Sequence, residues 1–132
     1  MQVRTYIGLD VGNKRTGMAR ASNAARLAEP LKTVPTEEVV PTLKKMAAED
    51  DIESVIVGLP RNLNGDDTAQ TEWVRGWLQN AKAELPEITF HWQDEALTTH
   101  EAQKRLGKNI TEVDAYAASI ILQDFLDTGE EA

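Results

Sequence analysis

Residues 54–60 read "SVIVGLP". A strand with one wet face alternates apolar and polar side chains; this one does not alternate, so both of its faces need cover. It belongs in the middle of a sheet with helices on both sides, and Gly58 and Pro60 end it. Helical patterns flank it. Before it, a helix from about Glu38 to Asp50 carries Val39, Leu43 and Met46 or Ala47 on one stripe. Pro41 fits only in that helix's first turn, where its missing N–H has no partner to lose. After the strand, "RNLNGDD" is rich in turn residues, and a second helix runs from about Thr68 to Leu85. Ala69, Trp73, Trp77, Leu78 and Ala81 form its apolar stripe, so Trp73 and Trp77, four residues apart, are expected in the core.

The N-terminal third is different. "VRTYIGL", "TGMARAS" and "LAEPLKTV" read as three strands joined by short links, hence an antiparallel meander. Pro30 places the third at an edge. "GNKR" is the first turn, with Gly12 free to take a positive φ. Towards the C-terminus, "EITFHWQ" is a fifth strand. Thr98 with Glu101 caps a short helix ending near Gly107, and Thr111 with Asp114 repeats the capping pattern for a last helix to about Asp127. The tail from about residue 128 is expected to fray.

The order β-β-β-α-β-α-β-α-α implies an α/β fold, a five-stranded mixed sheet with helices on both faces. Crossovers join parallel strands and hairpins join antiparallel ones. The first strand then lies beside "SVIVGL", with Asp10 near the middle of the sheet.

The 132 residues fit one domain, long enough to bury a core without staples. There are no cysteines, which excludes disulfides and thiolate metal sites. No apolar run approaches the ~18 residues of a membrane span, and Met1 leads into a strand and not into a signal sequence. The expected location is the cytoplasm, with no membrane partner. Fourteen basic against 22 acidic residues give a net charge of −8. Such a chain repels phosphate backbones at long range, so any nucleic-acid role needs a local basic patch or metal ions.

Three acidic positions stand out. Asp10 follows the apolar "YIGL", Asp94 and Glu95 follow "ITFHW", and Asp114 lies at the start of "VDAYAASIILQDFL". Asp114, Ala118, Ile121 and Phe125 share one helix face, the apolar one, which directs the carboxylate at the sheet. Carboxylates that converge this way repel unless a cation lies between them, and Mg²⁺ prefers such oxygen clusters. Two such ions about 4 Å apart activate water and stabilise a leaving oxygen in phosphodiester hydrolysis. Blander readings exist. Asp114 is also the fourth residue of a capping box, and Glu95 can be a solvated loop residue. His91 and His100, the only histidines, fit no zinc spacing. "GNKRTG" has Arg15 where a Walker loop needs Ser or Thr.

Taken in order, "LDVGNKRTGMA", "AEPLKTV", "VIVGLPRNLNGDD", "QDEALTT" and "VDAYAASIILQDFLD" resemble the YqgF family, also called RuvX-like, whose members are named as pre-16S rRNA nucleases and Holliday junction resolvases. The resemblance spans almost the whole chain and implies a ribonuclease H-like fold. It implies that Asp10, Glu95 and Asp114 are catalytic and hold Mg²⁺ (or Mn²⁺), and that Lys14 and Arg15 contact nucleic acid. Arg61, Lys104 and Lys108 are further candidate phosphate contacts. Ala96 stands where the family's Asp-Glu-Arg motif has its arginine, and the segment before the last helix is short. The function so implied is a metal-dependent endonuclease of pre-16S rRNA 5′-end processing, RNA being favoured over branched DNA, acting as a monomer or homodimer. The alternatives are a Holliday junction resolvase-like DNA endonuclease and a non-catalytic nucleic-acid-binding module. The "GLDVGNKRTGMA" hairpin also resembles the first phosphate loop of the actin and sugar-kinase superfamily, but those proteins need two such domains.

Overall fold

A computed structural model describes residues 2–62, 64–94 and 110–129. Strands β1 (Thr5–Val11), β2 (Arg15–Ser22) and β3 (Glu29–Pro35) form the meander. A 3-10 turn, Thr36–Glu38, leads into α1 (Val39–Glu49), so Pro41 does fall in the first turn. Then follow β4 (Ile52–Leu59), α2 (Ala69–Glu84), β5 (Phe90–Asp94) and α3 (Ile110–Asp124), which runs on as a π-turn to Gly129. The expected helix from Thr98 to Gly107 lies outside the described residues. Among the described residues, no helix is long and apolar enough to cross a membrane.

The sheet order is β3-β2-β1-β4-β5, with β1, β4 and β5 mutually parallel and β2 and β3 antiparallel to their neighbours. β1 is thus the central strand and β3 an edge. Alternation along β1 sends Ile7, Leu9 and Val11 to one face and Tyr6, Gly8 and Asp10 to the other. On the first face they pack with Val55 and Val57 of β4 against Val39 and Leu43 of α1 and Val74 and Leu78 of α2. On the second, Tyr6, Ala19, Ala21 and Ile56 meet Ala118, Ile121, Leu122 and Phe125 of α3. β4 is covered on both faces, as its unbroken apolar run requires.

Helix α2 departs from the stripe expected of it. Its buried residues are Thr71, Val74, Leu78 and Ala81; Trp73 is 38% exposed, whereas Trp77 is half-buried and packs against the core as expected. The helix is rotated because Thr71 has work at its N-terminus. Its hydroxyl donates to the Pro60 carbonyl and accepts from the Thr68 N–H at 2.9 Å, and the Thr68 hydroxyl accepts in return from the Thr71 N–H. This capping box ties the end of β4 to the start of α2. Gly76 lies on the open side, where an added Cβ meets nothing within 4 Å. Replacing Gly76 by Ala is therefore expected to stabilise the protein by about 0.5–1 kcal/mol, by removing backbone freedom from the unfolded chain. Denaturant unfolding measures this; a loss of stability would contradict the placement.

Helix α3 approaches the sheet to backbone contact. A Cβ on Gly17 would lie 1.9 Å from the Asp114 carbonyl oxygen, and one on Gly8 would lie 2.7 Å from Leu122 Cβ. Strands β1 and β2 thus present two bare positions on which the helix rests.

Candidate active site

The site is built at the carboxyl end of β1, the usual place for ligands in open α/β sheets. Asp10 is the penultimate residue of the strand, and its register partner on β2 is Gly17. Directly opposed residues of an antiparallel pair hold their side-chain positions about 5 Å apart. Gly17 has no side chain, and the backbone of Asp114 takes that space. The close seat of α3 on Gly17, the register partner of Asp10, brings Asp114 to the same end of the sheet as Asp10, 104 positions earlier in sequence. Both line one open cleft of about 480 Å³, together with Val11, Gly12, Asn13, Lys14, Arg15, Pro60 and Gln70.

The turn that carries the cations is held firmly. The Gly12 N–H donates to the Arg15 carbonyl at 2.9 Å, and the Thr36 N–H donates to the Lys14 carbonyl at 2.9 Å. The Thr36 hydroxyl donates to the Gly12 carbonyl at 2.6 Å and lies 2.8 Å from the Thr16 hydroxyl. Thr16 is fully buried and Thr36 nearly so, which spares these hydroxyls competition from water. Gly12 has no positive φ, contrary to the expectation from its turn; Gly65 is the only glycine with one among the described residues. Glycine serves at position 12 because a Cβ there would come within 2.6 Å of the Arg15 carbonyl oxygen.

Arg15 reaches across to α3. Its Nε–H donates to Asp114 Oδ2 at 2.8 Å. Asp114 is only 16% exposed in its side chain, Arg15 50%. The face Asp114, Ala118, Ile121 and Phe125 does point at the sheet. The capping reading of Asp114 does not hold: α3 already includes Ile110 and Thr111, so Asp114 lies inside the helix and its carboxylate bonds to Arg15.

Of the other candidates, Lys14 is exposed and lines the cleft. Arg61 sits elsewhere, 3.4 Å from Asp94 and 3.6 Å from Asp67, with Nη1 donating to the Gly65 carbonyl at 3.3 Å. Glu95, Ala96, Lys104 and Lys108 lie outside the described residues. His91 is exposed, its ring 5.2 Å from that of Phe125. Gln70, in the first turn of α2, is a cleft residue that its sequence context did not single out. Only its place at the start of the helix that follows "VGLPRNLNGDD" could have suggested it. Among the described residues, no three His, Cys, Asp or Glu side chains cluster to hold a metal. The donors present, two carboxylates, are of the hard oxygen type that Mg²⁺ or Mn²⁺ accepts.

A five-stranded sheet of this order, with helices on both faces, is a ribonuclease H-like fold. The family model described as "RuvX: Holliday junction resolvase" matches residues 4–128. The chain belongs to the RuvX family. It is 36% identical to a Fusobacterium nucleatum protein named "Putative pre-16S rRNA nuclease", covering 95% of this chain and 98% of that one. A Chloroflexus aggregans protein of the same name is 34% identical, with 96% of each chain covered. The structure of T. thermophilus RuvC in complex with Holliday junction substrate matches with a TM-score of 0.54 at 18% identity, over 95% of this chain and 96% of that one. At that identity the likeness concerns the fold.

Proposed function

We propose that the protein is a metal-dependent endonuclease that hydrolyses phosphodiesters in RNA, acting at the 5′ end of pre-16S rRNA. The observation that carries this reading is the meeting of Asp10 and Asp114 in one open cleft edged by Lys14 and Arg15. Asp10, Asp114 and Glu95 would hold Mg²⁺ or Mn²⁺. When bound, such an ion activates water and neutralises charge on the phosphate and leaving oxygen. The chain's own residues do the rest. Lys14 and Arg15 bind the substrate backbone from the rigid turn, and Gln70, which lines the same cleft, offers an amide. Arg61, Lys104 and Lys108 are proposed to extend phosphate contact beyond the cleft. The names of the bacterial relatives support the RNA substrate.

The test is cleavage of a pre-rRNA leader and of matched single-stranded and four-way-junction DNA, each with and without Mg²⁺. Preferential cutting of the RNA leader is expected, with none after chelation. The family description favours one second reading, junction resolution. A resolvase cuts two symmetric strands and acts as a dimer. Paired symmetric nicks in junction DNA, with intact RNA, would establish that reading instead.

A further inference from the structure

Arg15 holds a position in which it cannot serve two partners at once. Its guanidinium is bonded to Asp114 Oδ2, one of the oxygens a cation in this cleft needs. The contact is not a chance meeting of two loose side chains. The backbone of Arg15 is fixed by the Gly12 hydrogen bond, and that of Asp114 by its seat on Gly17. The two ends differ in freedom: the carboxylate is largely buried, the guanidinium half exposed. Arg15 is therefore the partner that can leave. A divalent cation held by Asp114 would repel the guanidinium now bonded to that carboxylate. A half-exposed ion pair is weak enough to yield to that repulsion.

We propose that Arg15 is an exchangeable counter-ion, bound to Asp114 before the cation arrives and to a substrate phosphate afterwards. This rests on the divalent-cation reading above. Without the cation, Arg15 neutralises Asp114 and relieves its repulsion with Asp10 in the same cleft. With the cation in place, the guanidinium is released at the mouth of the cleft, beside Lys14. Its planar donors then match a phosphate. Cation binding thereby primes phosphate binding, and the two become coupled in one order.

The full chain, as wild type, Arg15→Gln and Arg15→Lys, would be titrated with Mg²⁺ by calorimetry. The Arg Nε–H resonances would be followed by NMR in the wild type. A phosphorothioate RNA oligomer, which resists cleavage, would report substrate affinity with and without Mg²⁺. Arg15→Gln is expected to bind Mg²⁺ about three- to fivefold more tightly, because the competitor for Asp114 is gone. Arg15→Lys keeps the charge and should gain less. In the wild type the Arg15 Nε–H signal should move on Mg²⁺ addition, and Mg²⁺ should strengthen oligomer binding more than in Arg15→Gln. Equal or weaker Mg²⁺ binding by Arg15→Gln, where the wild type does bind, overturns this inference alone. Absence of Mg²⁺ binding in both proteins removes the cation reading and this inference with it.

Discussion

Replacing Asp10 by Asn is expected to lower phosphodiester cleavage by about a thousandfold while leaving the fold intact. The amide keeps the size of the carboxylate and some hydrogen-bonding capacity but loses the charge a divalent cation requires. Asp10 is half-buried at a strand end, not within a core cluster, so its replacement leaves the packing on both faces unchanged. Loss of several kcal/mol of charge stabilisation corresponds to a rate drop of about this size. Single-turnover cleavage of the pre-rRNA leader, with circular dichroism to check folding, measures it. Activity within tenfold of the wild type would remove Asp10 from the chemistry.

The largest stability effect is expected at Gly17. Alanine there would drive a methyl group to 1.9 Å from the Asp114 carbonyl oxygen, and backbone cannot turn aside as a flexible side chain can. Either α3 lifts from the sheet or β2 buckles. Overpacking costs typically 1–3 kcal/mol, and a contact this short with backbone on both sides falls at or above the upper end, about 3 kcal/mol. For a chain of this size the melting temperature should fall by roughly 10 °C. Because the same contact sets Asp114 at the end of the sheet that carries Asp10, cation binding should weaken too. Thermal unfolding with and without Mg²⁺ reads both effects. A Gly17→Ala protein with wild-type melting would show that α3 does not rest on β2 as described.

Much of this architecture was legible in the sequence because its signals are local and strong. Short links between "VRTYIGL", "TGMARAS" and "LAEPLKTV" can only form hairpins, and the unbroken "SVIVGL" needs two covered faces. Those two facts place β1 centrally and so place Asp10. The helical spacing of Asp114, Ala118, Ile121 and Phe125 likewise marked the face that meets the sheet. The errors have a common cause. Trp73 outweighs Thr71 on any hydrophobic count, yet Trp73 is exposed and Thr71 is buried, because the Thr71 hydroxyl is bonded to the ends of two elements. Periodicity sees apolarity and is blind to a satisfied polar group. Asp114 was open to a capping reading for a similar reason: its partner, Arg15, lies 99 residues away, and no local pattern records it. Glu95 joins the carboxylates by its place just after the fifth strand and by the family resemblance, and its position lies outside the described residues.

Helix α3 is also the last described element of the chain, and nearly everything it touches was made about a hundred residues earlier. Pairings of such long sequence separation form late, because chain entropy must be lost before they contribute. A partly folded chain could complete β1, β2 and β4 with α1 and α2 on one face while Tyr6, Ala19, Ala21 and Ile56 on the other still met water. In that state the cleft lacks Asp114. The proposed affinity for a divalent cation would then belong to the finished fold alone, and added Mg²⁺ would favour the last docking step over any earlier one. The candidate site doubles as a reporter of the chain's own completion.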